Sequence, residues 1–547
     1  MMRTATPAEQ AVLAGIRAER DVALFARHAV GHHLRLRFAP FHRTLFGWHR
    51  EMGREPLPGR VGRRFVLAAP RGNAKSTIVS LVLVLHDAAY RRERYIVLVS
   101  ATQRQAQQRL RALRQELLPG APLARWMPGL AVGRRTRTTA RVLEVNGVRI
   151  EAFGAGAEMR GISTDSWRPT KIVLDDAESS AAAESPRRRL ALHDWFREVV
   201  EHLGGPYTHL LAIGTVLHRE SLLATLLARP DFEALRLRAI ERFPPATPHW
   251  EQWRRLLTDM AVPHRREQAR AYFLAHRAEM EKGARVLWPE HEDAEHLMAQ
   301  LVLQGRRAFY QEKQNEPLGP EDALFEPARA WRVRRERNGE LALLPPSAVG
   351  ERRPVAAYNP RELVLAGYLD SALGKQRAAG RGDFAALATV ARAPDGRLLV
   401  LALWVKRAPP SEQVAVLFES HACRPFHRLG IEGTGFQELL TLPIEEERKR
   451  RRQQGLPYDV PVEVVMPRRS KDARIAALEP LLTGGQLALS EELPEEFWTE
   501  LAAYPRCEHD DALDAVAGAV ELARQASARL DPPGRVTPQR RRANSLF

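Results

Sequence analysis

The feature that most constrains this fold is the apolar run from Phe65 to Leu85, which the segment "APRGNAKST" interrupts once. The strand-like sequence "RRFVLAA" precedes the interruption and the helix-like sequence "STIVSLVLVLHDAA" follows it. A strand that turns directly into a helix presents backbone N–H groups and the positive end of the helix dipole at the turn, and both favour phosphate. The run therefore predicts a phosphate-binding loop at the edge of an α/β sheet.

The loop departs from the usual pattern G-x-x-x-x-G-K-[ST], because Ala69 and Ala74 stand where that pattern has glycine. Alanine costs little there at negative φ, whereas a positive φ at Ala74 would add modest strain. We expect Lys75 to lie along the β- and γ-phosphates and Ser76 to ligate Mg²⁺. The alternative is a structural strand-to-helix turn with a stray lysine. The predicted loop ligands are Arg71, Gly72, Asn73, Ala74, Lys75, Ser76 and Thr77.

A second apolar strand, in "TKIVLDDAES", ends in a group of carboxylates. The carboxyl end of such a strand lies beside the nucleotide, so we expect Asp175 to contact the Mg²⁺ ion there. Either Asp176 or Glu178 is then placed to polarise the attacking water. We favour Glu178, which is still close to the strand end. The alternative is that these acids only solubilise the surface.

Short apolar segments alternate with helical ones from about 61 to 220, which indicates a parallel sheet covered on both faces. A second series begins at Glu362 with three strands and then alternates helices and strands, which is the ribonuclease H order. The predicted class is α/β, with a P-loop (ASCE-type) domain on a parallel sheet and a ribonuclease H-like domain on a mixed sheet. The predicted divisions are a helical lead-in (1–60), a P-loop ATPase domain (61–318, with a helical subdomain at about 245–318), a linker (319–360), a nuclease domain (361–525) and a basic disordered tail (526–547).

Acids also occur at matching points of the second series. Asp370 ends its first strand and Glu432 a later one, while Asp510, Asp511 and Asp514 open the last helix. Such a cluster repels itself unless cations fill it, and two Mg²⁺ or Mn²⁺ ions are what phosphodiester hydrolysis uses. We rank Asp511 first as the third ligand, then Asp514, then Asp510. Each acid taken alone is better explained as a turn, cap or surface residue, but their positions at matching points of a ribonuclease H layout favour a shared site.

Composition limits the partners and the metal chemistry. The 547 residues carry a net charge of +17, from 83 Lys and Arg against 66 Asp and Glu, which favours a polyanion such as nucleic acid. The two cysteines, Cys423 and Cys507, lack C-x-x-C spacing, so we expect no disulfide framework and no zinc site, and any metal to be held by oxygen. No long apolar run or signal-peptide core is present, so we expect a soluble protein of the cytoplasm.

Seven segments together resemble one known family. They are "APRGNAKST", "EMRGIS", "WRPTKIVLDDAE", "LLAIGTVLH", "GYLDSALGK", "GIEGTGFQELL" and "HDDALDAVAGA", spread over roughly residues 60 to 525. They resemble the large terminase subunit of tailed bacteriophages and prophages, whose phosphate loop commonly reads P-R-G-x-x-K-[ST] with variable glycines. The resemblance implies that Gly214 and Thr215 couple hydrolysis to motion, with Thr215 near the nucleotide, and that Arg160 or Arg71 is the arginine finger.

The resemblance also implies an activity and its setting. We expect ATP-driven translocation of double-stranded viral DNA into a procapsid, and metal-dependent endonucleolytic cleavage of concatemeric DNA. The implied cofactors are ATP and Mg²⁺, with Mn²⁺ able to substitute in the nuclease. The implied partners are double-stranded DNA, a portal protein, a small terminase subunit and other copies of the chain in a ring on the portal, in the host cytoplasm and without a membrane. The alternatives are a helicase-nuclease of DNA repair and an inactive prophage relic that binds DNA.

Overall fold

The computed structural model describes residues 7–53, 61–133, 137–319, 322–346, 353–371, 384–433 and 440–526. The chain divides into two compact units. Unit 1 comprises the chain up to Pro245 together with Ala278–Met298 and Arg307–Gly319. Unit 2 comprises Ala246–Arg277, Ala299–Arg306 and the chain from Pro320 onward.

Unit 1 is built on a seven-stranded sheet with the order β3-β4-β2-β5-β6-β1-β7. All neighbouring strands are parallel except the antiparallel pair β3 and β4 at one edge. A separate antiparallel pair is formed by β8 and β9. The strands are β1 (Arg64–Ala68), β2 (Tyr95–Ser100), β3 (Val142–Val145), β4 (Val148–Gly154), β5 (Lys171–Asp175), β6 (His209–Gly214), β7 (Glu233–Arg236), β8 (Ile240–Arg242) and β9 (Arg285–Val286).

Both faces of this sheet are buried. In β2, Ile96 and Leu98 enter one hydrophobic cluster while Tyr95, Val97 and Val99 enter another on the opposite face. Such strands read as continuous apolar runs, which is why they could be recognised in the sequence.

The helices between Pro7 and Glu312 are Pro7–Arg20, Val22–Val30, Pro40–Glu51, Thr77–Leu83 (π-type) continuing as Val84–Ala89, Gln103–Glu116, Pro122–Trp126, Ser180–Glu184, Pro186–Trp195 continuing as Phe196–Val200 (π-type), Leu222–Ala228, Pro248–Thr258, Arg265–Ala275, Arg277–Met280, Ala294–Gln304 and Arg306–Glu312.

Unit 2 is built on a nine-stranded mixed sheet with the order β12-β11-β10-β18-β15-β14-β13-β16-β17. The strands β13, β14 and β15 form the predicted antiparallel series, and β16 and β17 then add in parallel beside β13. The strands are β10 (Trp331–Arg335), β11 (Leu341–Leu344), β12 (Ala356–Tyr358), β13 (Val364–Asp370), β14 (Ala385–Arg392), β15 (Leu398–Lys406), β16 (Arg428–Glu432), β17 (Val462–Val465) and β18 (Leu487–Ser490).

The last helix, Asp511–Gln525, lies very close to β13 of this sheet. A Cβ atom added at Gly518 would stand 2.6 Å from ring atoms of Tyr368 on β13, so only glycine permits this approach. The approach brings the start of the helix towards the carboxyl end of β13. The helices of unit 2 that follow β15 are Pro410–Cys423, Thr441–Gln453, Lys471–Ala476, Leu478–Thr483, Glu495–Ala503 and Asp511–Gln525.

The predicted α/β class, with a parallel first sheet and a mixed second one, is confirmed. The division of the chain differs in two places from the predicted one. Residues 245–318 are shared between the units instead of following the first sheet, and the segment 319–360, predicted as a linker, contributes β10, β11 and β12 to the second sheet. In β10, Trp331 and Val333 are buried in alternation with arginines, whereas all four residues of β11 are buried.

Within the described residues, no helix combines the length and apolar character that a membrane span requires. The predicted basic tail lies outside the described residues from 527 onward.

Candidate catalytic sites

The first site lies where three adjacent parallel strands of unit 1 end. β5, β6 and β1 are neighbours in that order, so their carboxyl ends meet at one edge of the sheet. β1 leads into the predicted phosphate loop, β5 ends at Asp175, and β6 ends at Gly214 directly before Thr215. The fold therefore brings together residues that the sequence spaces up to 140 positions apart.

Lys75 lies buried at the carboxyl ends of these strands. Its Nζ atom donates a hydrogen bond to Thr215 Oγ1 at 3.0 Å and lies 3.9 Å from Asp176 Oδ1. Burial lowers the pKa of Lys75, and the carboxylates of Asp176 and Asp175 oppose that shift. Thr215, which the family resemblance placed near the nucleotide, is thus in direct contact with the predicted phosphate-binding lysine.

Asp175 is surrounded by donors. Ser76 Oγ donates to its Oδ1 at 2.7 Å, Ser80 Oγ donates to its Oδ2 at 2.8 Å, and Arg109 Nε lies 2.9 Å from Oδ2. Burial raises the pKa of Asp175, and the Arg109 guanidinium counteracts this effect. The Ser76 hydroxyl and the Asp175 carboxylate are oxygen ligands of the kind that Mg²⁺ takes beside a nucleotide, so these residues fit the predicted ion.

Ser80 and Arg109 were not identified from the sequence. Ser80 follows Ser76 by one helical turn, so the spacing carried a signal for a shared face that we did not use. Arg109 lies on the helix Gln103–Glu116, which follows β2, and no local motif marks it among the other arginines of that helix. Only the adjacency of β2 and β5 brings it to Asp175.

The loop has a positive φ angle at Gly72 and Ala74, the residues on either side of Asn73. Gly72 has φ of 91° and Ala74 has φ of 57°, so the strain considered from the sequence is present at Ala74. The buried side chain of His42 contacts this loop, since its Nε2 atom lies 3.1 Å from the Asn73 carbonyl oxygen. The Ala39 N–H donates a hydrogen bond to the other ring nitrogen, Nδ1. Burial lowers the pKa of His42 to about 4, so the ring is neutral and donates through Nε2.

We expect Ala74→Gly to stabilise the protein by about 0.5 to 1 kcal/mol. Glycine removes the cost of an alanine in the left-handed conformation, but it also raises the conformational entropy of the unfolded chain, which offsets part of that gain. Thermal unfolding of the nucleotide-free chain measures the effect. Ala69→Gly is the matched control, since Ala69 is fully buried and has no positive φ, and there glycine should lower the melting temperature. Equal destabilisation by both substitutions would show that Ala74 carries no strain.

The two candidates for activating water have different surroundings. Asp176 is half-exposed, and its Oδ1 atom faces Lys75. Glu178 accepts a hydrogen bond from the Leu222 N–H at 3.1 Å through Oε2, at the start of the helix Leu222–Ala228, while its Oε1 is buried without a partner among the described residues. Burial raises the pKa of Glu178 to about 7. Of the two acids, Asp176 is the one in contact with the loop lysine.

The two predicted arginine fingers are both largely exposed. Arg71 lies within the loop, pairs with Glu312 at 3.2 Å, and its carbonyl oxygen accepts a hydrogen bond from Lys313. The described contacts of Arg160 are with Glu198, at 3.4 Å, and they do not join it to the loop. The arginine finger therefore stays a prediction for both residues.

The second site lies in unit 2, where β13 and β16 run parallel beside each other and end at Asp370 and Glu432. Carboxylate oxygens of Asp370, Glu432 and Asp514 all lie within 4.8 Å of one another. Burial raises the pKa of Asp370 to about 8, and the charges of Asp514 and Glu432 add to the shift. Burial likewise raises the pKa of Glu432. An all-oxygen cluster that repels itself in this way fits Mg²⁺ or Mn²⁺.

The third carboxylate of this cluster is Asp514, which we ranked second from the sequence. Asp511, ranked first, accepts hydrogen bonds from Lys471 Nζ at 2.8 Å and from the Phe384 N–H at 3.3 Å, and Asp510 also pairs with Lys471. Asp511 and Asp514 lie on one helical turn, so the spacing did not distinguish them. The tertiary structure places the carboxylate of Asp514 beside those of Asp370 and Glu432 at the strand ends.

Arg474 is a further member of this site that the sequence did not indicate. Its Nε donates to Asp514 Oδ1 at 2.9 Å, and its second guanidinium nitrogen lies 3.8 Å from Glu432 Oε2. The guanidinium thus compensates part of the charge that the cluster accumulates. Its helix, Lys471–Ala476, also carries Lys471, so one short helix supplies both cations of the site.

No protein-family model matches the sequence, and no curated protein matches it. Several solved structures do match. The large terminase from a thermophilic bacteriophage, in its second crystal form, is 10% identical over 88% of this chain and 98% of its own, with a TM-score of 0.41. The HK97 bacteriophage large terminase is 12% identical over 93% of this chain and 100% of its own, with a TM-score of 0.30. The large terminase nuclease from thermophilic phage G20c is 19% identical over 37% of this chain and 98% of its own, with a TM-score of 0.23.

Proposed function

We propose that this chain is the large subunit of a DNA-packaging terminase, which couples ATP hydrolysis to translocation of double-stranded DNA and cuts that DNA with a separate metal-dependent nuclease. The proposal rests on one observation: this chain contains two sites of catalytic type. Each lies where neighbouring parallel strands end, one in the first sheet and one in the second. Lys75, Thr215 and Asp175 meet at the first, and Asp370, Glu432 and Asp514 meet at the second.

In the first site, Lys75 binds the phosphates of ATP through its ammonium group, which its hydrogen bond to Thr215 holds in place. Ser76 and Asp175 would hold Mg²⁺, which neutralises charge on the phosphate oxygens. Arg109 orients both of these residues, since its Nε lies 2.9 Å from Asp175 Oδ2 and a second guanidinium nitrogen donates to Ser76 Oγ at 3.2 Å. Thr215 is hydrogen-bonded to Lys75 and directly follows the end of β6. A displacement of Lys75 would therefore move Thr215 and the segment of chain that follows it.

For the water-activating base we propose Asp176 instead of Glu178, the residue that the sequence favoured. Asp176 is the acid that contacts Lys75, whereas Glu178 accepts a bond from a helix N-terminus. Single-turnover hydrolysis by Asp176→Asn and by Glu178→Gln tests the choice. A larger loss in the glutamine variant would return the role to Glu178.

In the second site, Asp370, Glu432 and Asp514 would hold the divalent ions, which activate water and stabilise the leaving oxygen during phosphodiester cleavage. Arg474 keeps the Asp514 carboxylate directed at the cluster through its hydrogen bond. Lys471 binds Asp510 and Asp511 and so neutralises part of the negative charge that these two acids add beside the site. The net charge of +17 supports a polyanionic substrate gripped through its phosphates.

We expect Asp514→Asn to slow cleavage at least about 100-fold, because it removes a metal ligand that contributes several kcal/mol of transition-state stabilisation. Asp511→Asn should slow it less than about 10-fold, since its carboxylate binds Lys471. Asparagine keeps one of the two oxygen acceptors that Arg474 uses, and thermal unfolding verifies that the variant folds. Nicking of supercoiled plasmid with Mn²⁺ measures both rates, and the reverse order of losses would make Asp511 the ligand.

The full-length chain tests the overall assignment. We expect ATP hydrolysis that double-stranded DNA stimulates, plasmid cleavage that Mn²⁺ or Mg²⁺ supports and EDTA abolishes, and no separation of DNA strands. ATP-dependent strand separation would favour the helicase-nuclease of DNA repair. A chain that binds DNA without either reaction would be the inactive relic. Assembly with a portal protein, a small subunit and further copies of the chain in the host cytoplasm belongs to the same proposal.

A further inference from the structure

A third cluster of metal-ligand side chains lies in unit 1 and shares no residue with either proposed site. His32 and His33 follow the helix Val22–Val30, and Glu116 is the last residue of the helix Gln103–Glu116. Glu116 Oε1 lies 3.2 Å from His32 Nε2 and 3.0 Å from His33 Nε2. One ligand atom from each of the three residues lies within 4.8 Å of the others.

The carboxylate at the centre of this cluster is incompletely satisfied. Glu116 is only 5% exposed, and its Oε2 atom is buried without a hydrogen-bond partner among the described residues. Within that part of the chain, its ion pairs are those with His32 and His33. Burying a carboxylate oxygen without a partner is unfavourable, so the cluster has an unfilled coordination requirement.

The distances match those of a metal shell. In a tetrahedral zinc site with bonds of about 2.0 to 2.1 Å, neighbouring ligand atoms lie about 3.3 Å apart. Two imidazole nitrogens and one carboxylate oxygen are also a ligand set that zinc accepts. Because the two histidine side chains are 44% and 46% exposed, an ion can enter from solvent and a water molecule can complete the shell.

A second histidine cluster in the same unit provides a contrast. His49, His86 and Asp87 are also close enough to share an ion, and all three are buried. There, however, Lys171 Nζ lies 2.5 Å from Asp87 Oδ2 and Arg92 Nε lies 3.6 Å from Asp87 Oδ1. Two cations already compensate that carboxylate, so it is a buried ion-pair network. No lysine or arginine is paired with Glu116 in the described residues.

We propose that His32, His33 and Glu116 bind one Zn²⁺ ion, through the two Nε2 atoms and the Glu116 carboxylate. This proposal departs from the expectation, drawn from the sequence, of no zinc site and of a metal held by oxygen, because the ligands are 84 and 83 positions apart and include no cysteine. The ion would fasten the segment after the helix Val22–Val30 to the helix Gln103–Glu116. Closing so long a loop gives the metal a structural effect, which thermal unfolding can measure.

The test uses the full-length chain, stripped with EDTA and dialysed into excess Mg²⁺ so that the oxygen sites are filled. Zn²⁺ is titrated calorimetrically, and Co²⁺ serves as a visible-absorbing substitute for the same ligands. We expect the unaltered chain to bind one equivalent of Zn²⁺ more than a variant without the two histidines binds. We also expect Zn²⁺ to raise the melting temperature, and Co²⁺ to give absorption bands typical of a four-coordinate site. The double variant His32→Ala, His33→Ala should lose all three.

Glu116→Gln should weaken Zn²⁺ binding at least about 10-fold, the loss seen when even a residue that supports a ligand is changed. His202→Ala is the matched control, since His202 is an exposed histidine of the same unit, and it should bind Zn²⁺ as the unaltered chain does. Melting temperatures without metal verify that each variant folds.

If the double histidine variant binds as much Zn²⁺ with the same affinity, or if the unaltered chain binds none in excess Mg²⁺, the proposal is wrong. The two histidines then only donate hydrogen bonds to Glu116. Because the cluster is distinct from the ATP and nuclease sites, neither result depends on the proposed function. Should Glu116→Gln fail to fold, the histidine variants still decide the question.

Discussion

Lys75→Ala is expected to slow ATP hydrolysis at least about 100-fold while metal-dependent DNA cleavage continues. Removing one preorganised positive group from a site that stabilises developing phosphate charge costs about 100-fold to 1,000-fold in rate. Lys75 is that group, because its Nζ atom is held by Thr215 at 3.0 Å inside the loop. Steady-state phosphate release with and without DNA measures the loss, and plasmid nicking with Mn²⁺ measures what is retained.

The substitution should leave the fold intact. The ion pair of Lys75 is with Asp176, which is half-exposed and can be solvated when the ammonium group is removed. Lys282→Ala, at an exposed lysine of the same unit, is the control and should hydrolyse ATP normally. Full ATPase activity in Lys75→Ala would mean that the loop is only a structural turn between a strand and a helix, the alternative that the sequence left open.

Asp370→Asn should have the opposite pattern, with cleavage reduced at least about 100-fold and ATP hydrolysis unchanged. Loss of one ligand from a site with divalent ions removes several kcal/mol of transition-state stabilisation, and each 1.36 kcal/mol is about tenfold in rate. Nicking of supercoiled plasmid with Mn²⁺ gives the rate. Asp459→Asn, at an exposed aspartate of the same unit, is the control and should cut normally.

The stability of Asp370→Asn distinguishes loss of chemistry from loss of structure. In the metal-free protein, Asp370 repels Asp514 and Glu432, and burial with these charges raises its pKa to about 8. The folded chain therefore holds Asp370 mostly protonated at neutral pH, which costs stability because the same carboxyl ionises freely in the unfolded chain; a neutral asparagine avoids that cost, so the variant should melt at the same temperature or higher. A variant that unfolds early would show that the carboxylate is structural. If Lys75→Ala and Asp370→Asn each abolished both activities, two independent sites could not be maintained.

Much of the first site could be predicted because its signals are local. The run from Phe65 to Leu85 is a buried strand, a turn and a buried helix in immediate succession, so its sequence placed Lys75 and Ser76 without knowledge of the rest. Asp175 was recognisable in the same way, since it ends an apolar strand. Arg109 was not, because its role depends on β2 lying beside β5 in the sheet.

In the second site, the strand ends again indicated Asp370 and Glu432, whereas the helix residues required the tertiary structure. The sequence determined that Asp511 and Asp514 share a helical face, and it determined the order of strands and helices. Only the packing of the helix against β13, which is close at Gly518 and Tyr368, decided that Asp514 is the acid that joins Asp370 and Glu432. The same holds for His32, His33 and Glu116. Patterns of burial along the chain fix secondary structure locally, but side chains distant in sequence meet only through the packing of whole elements.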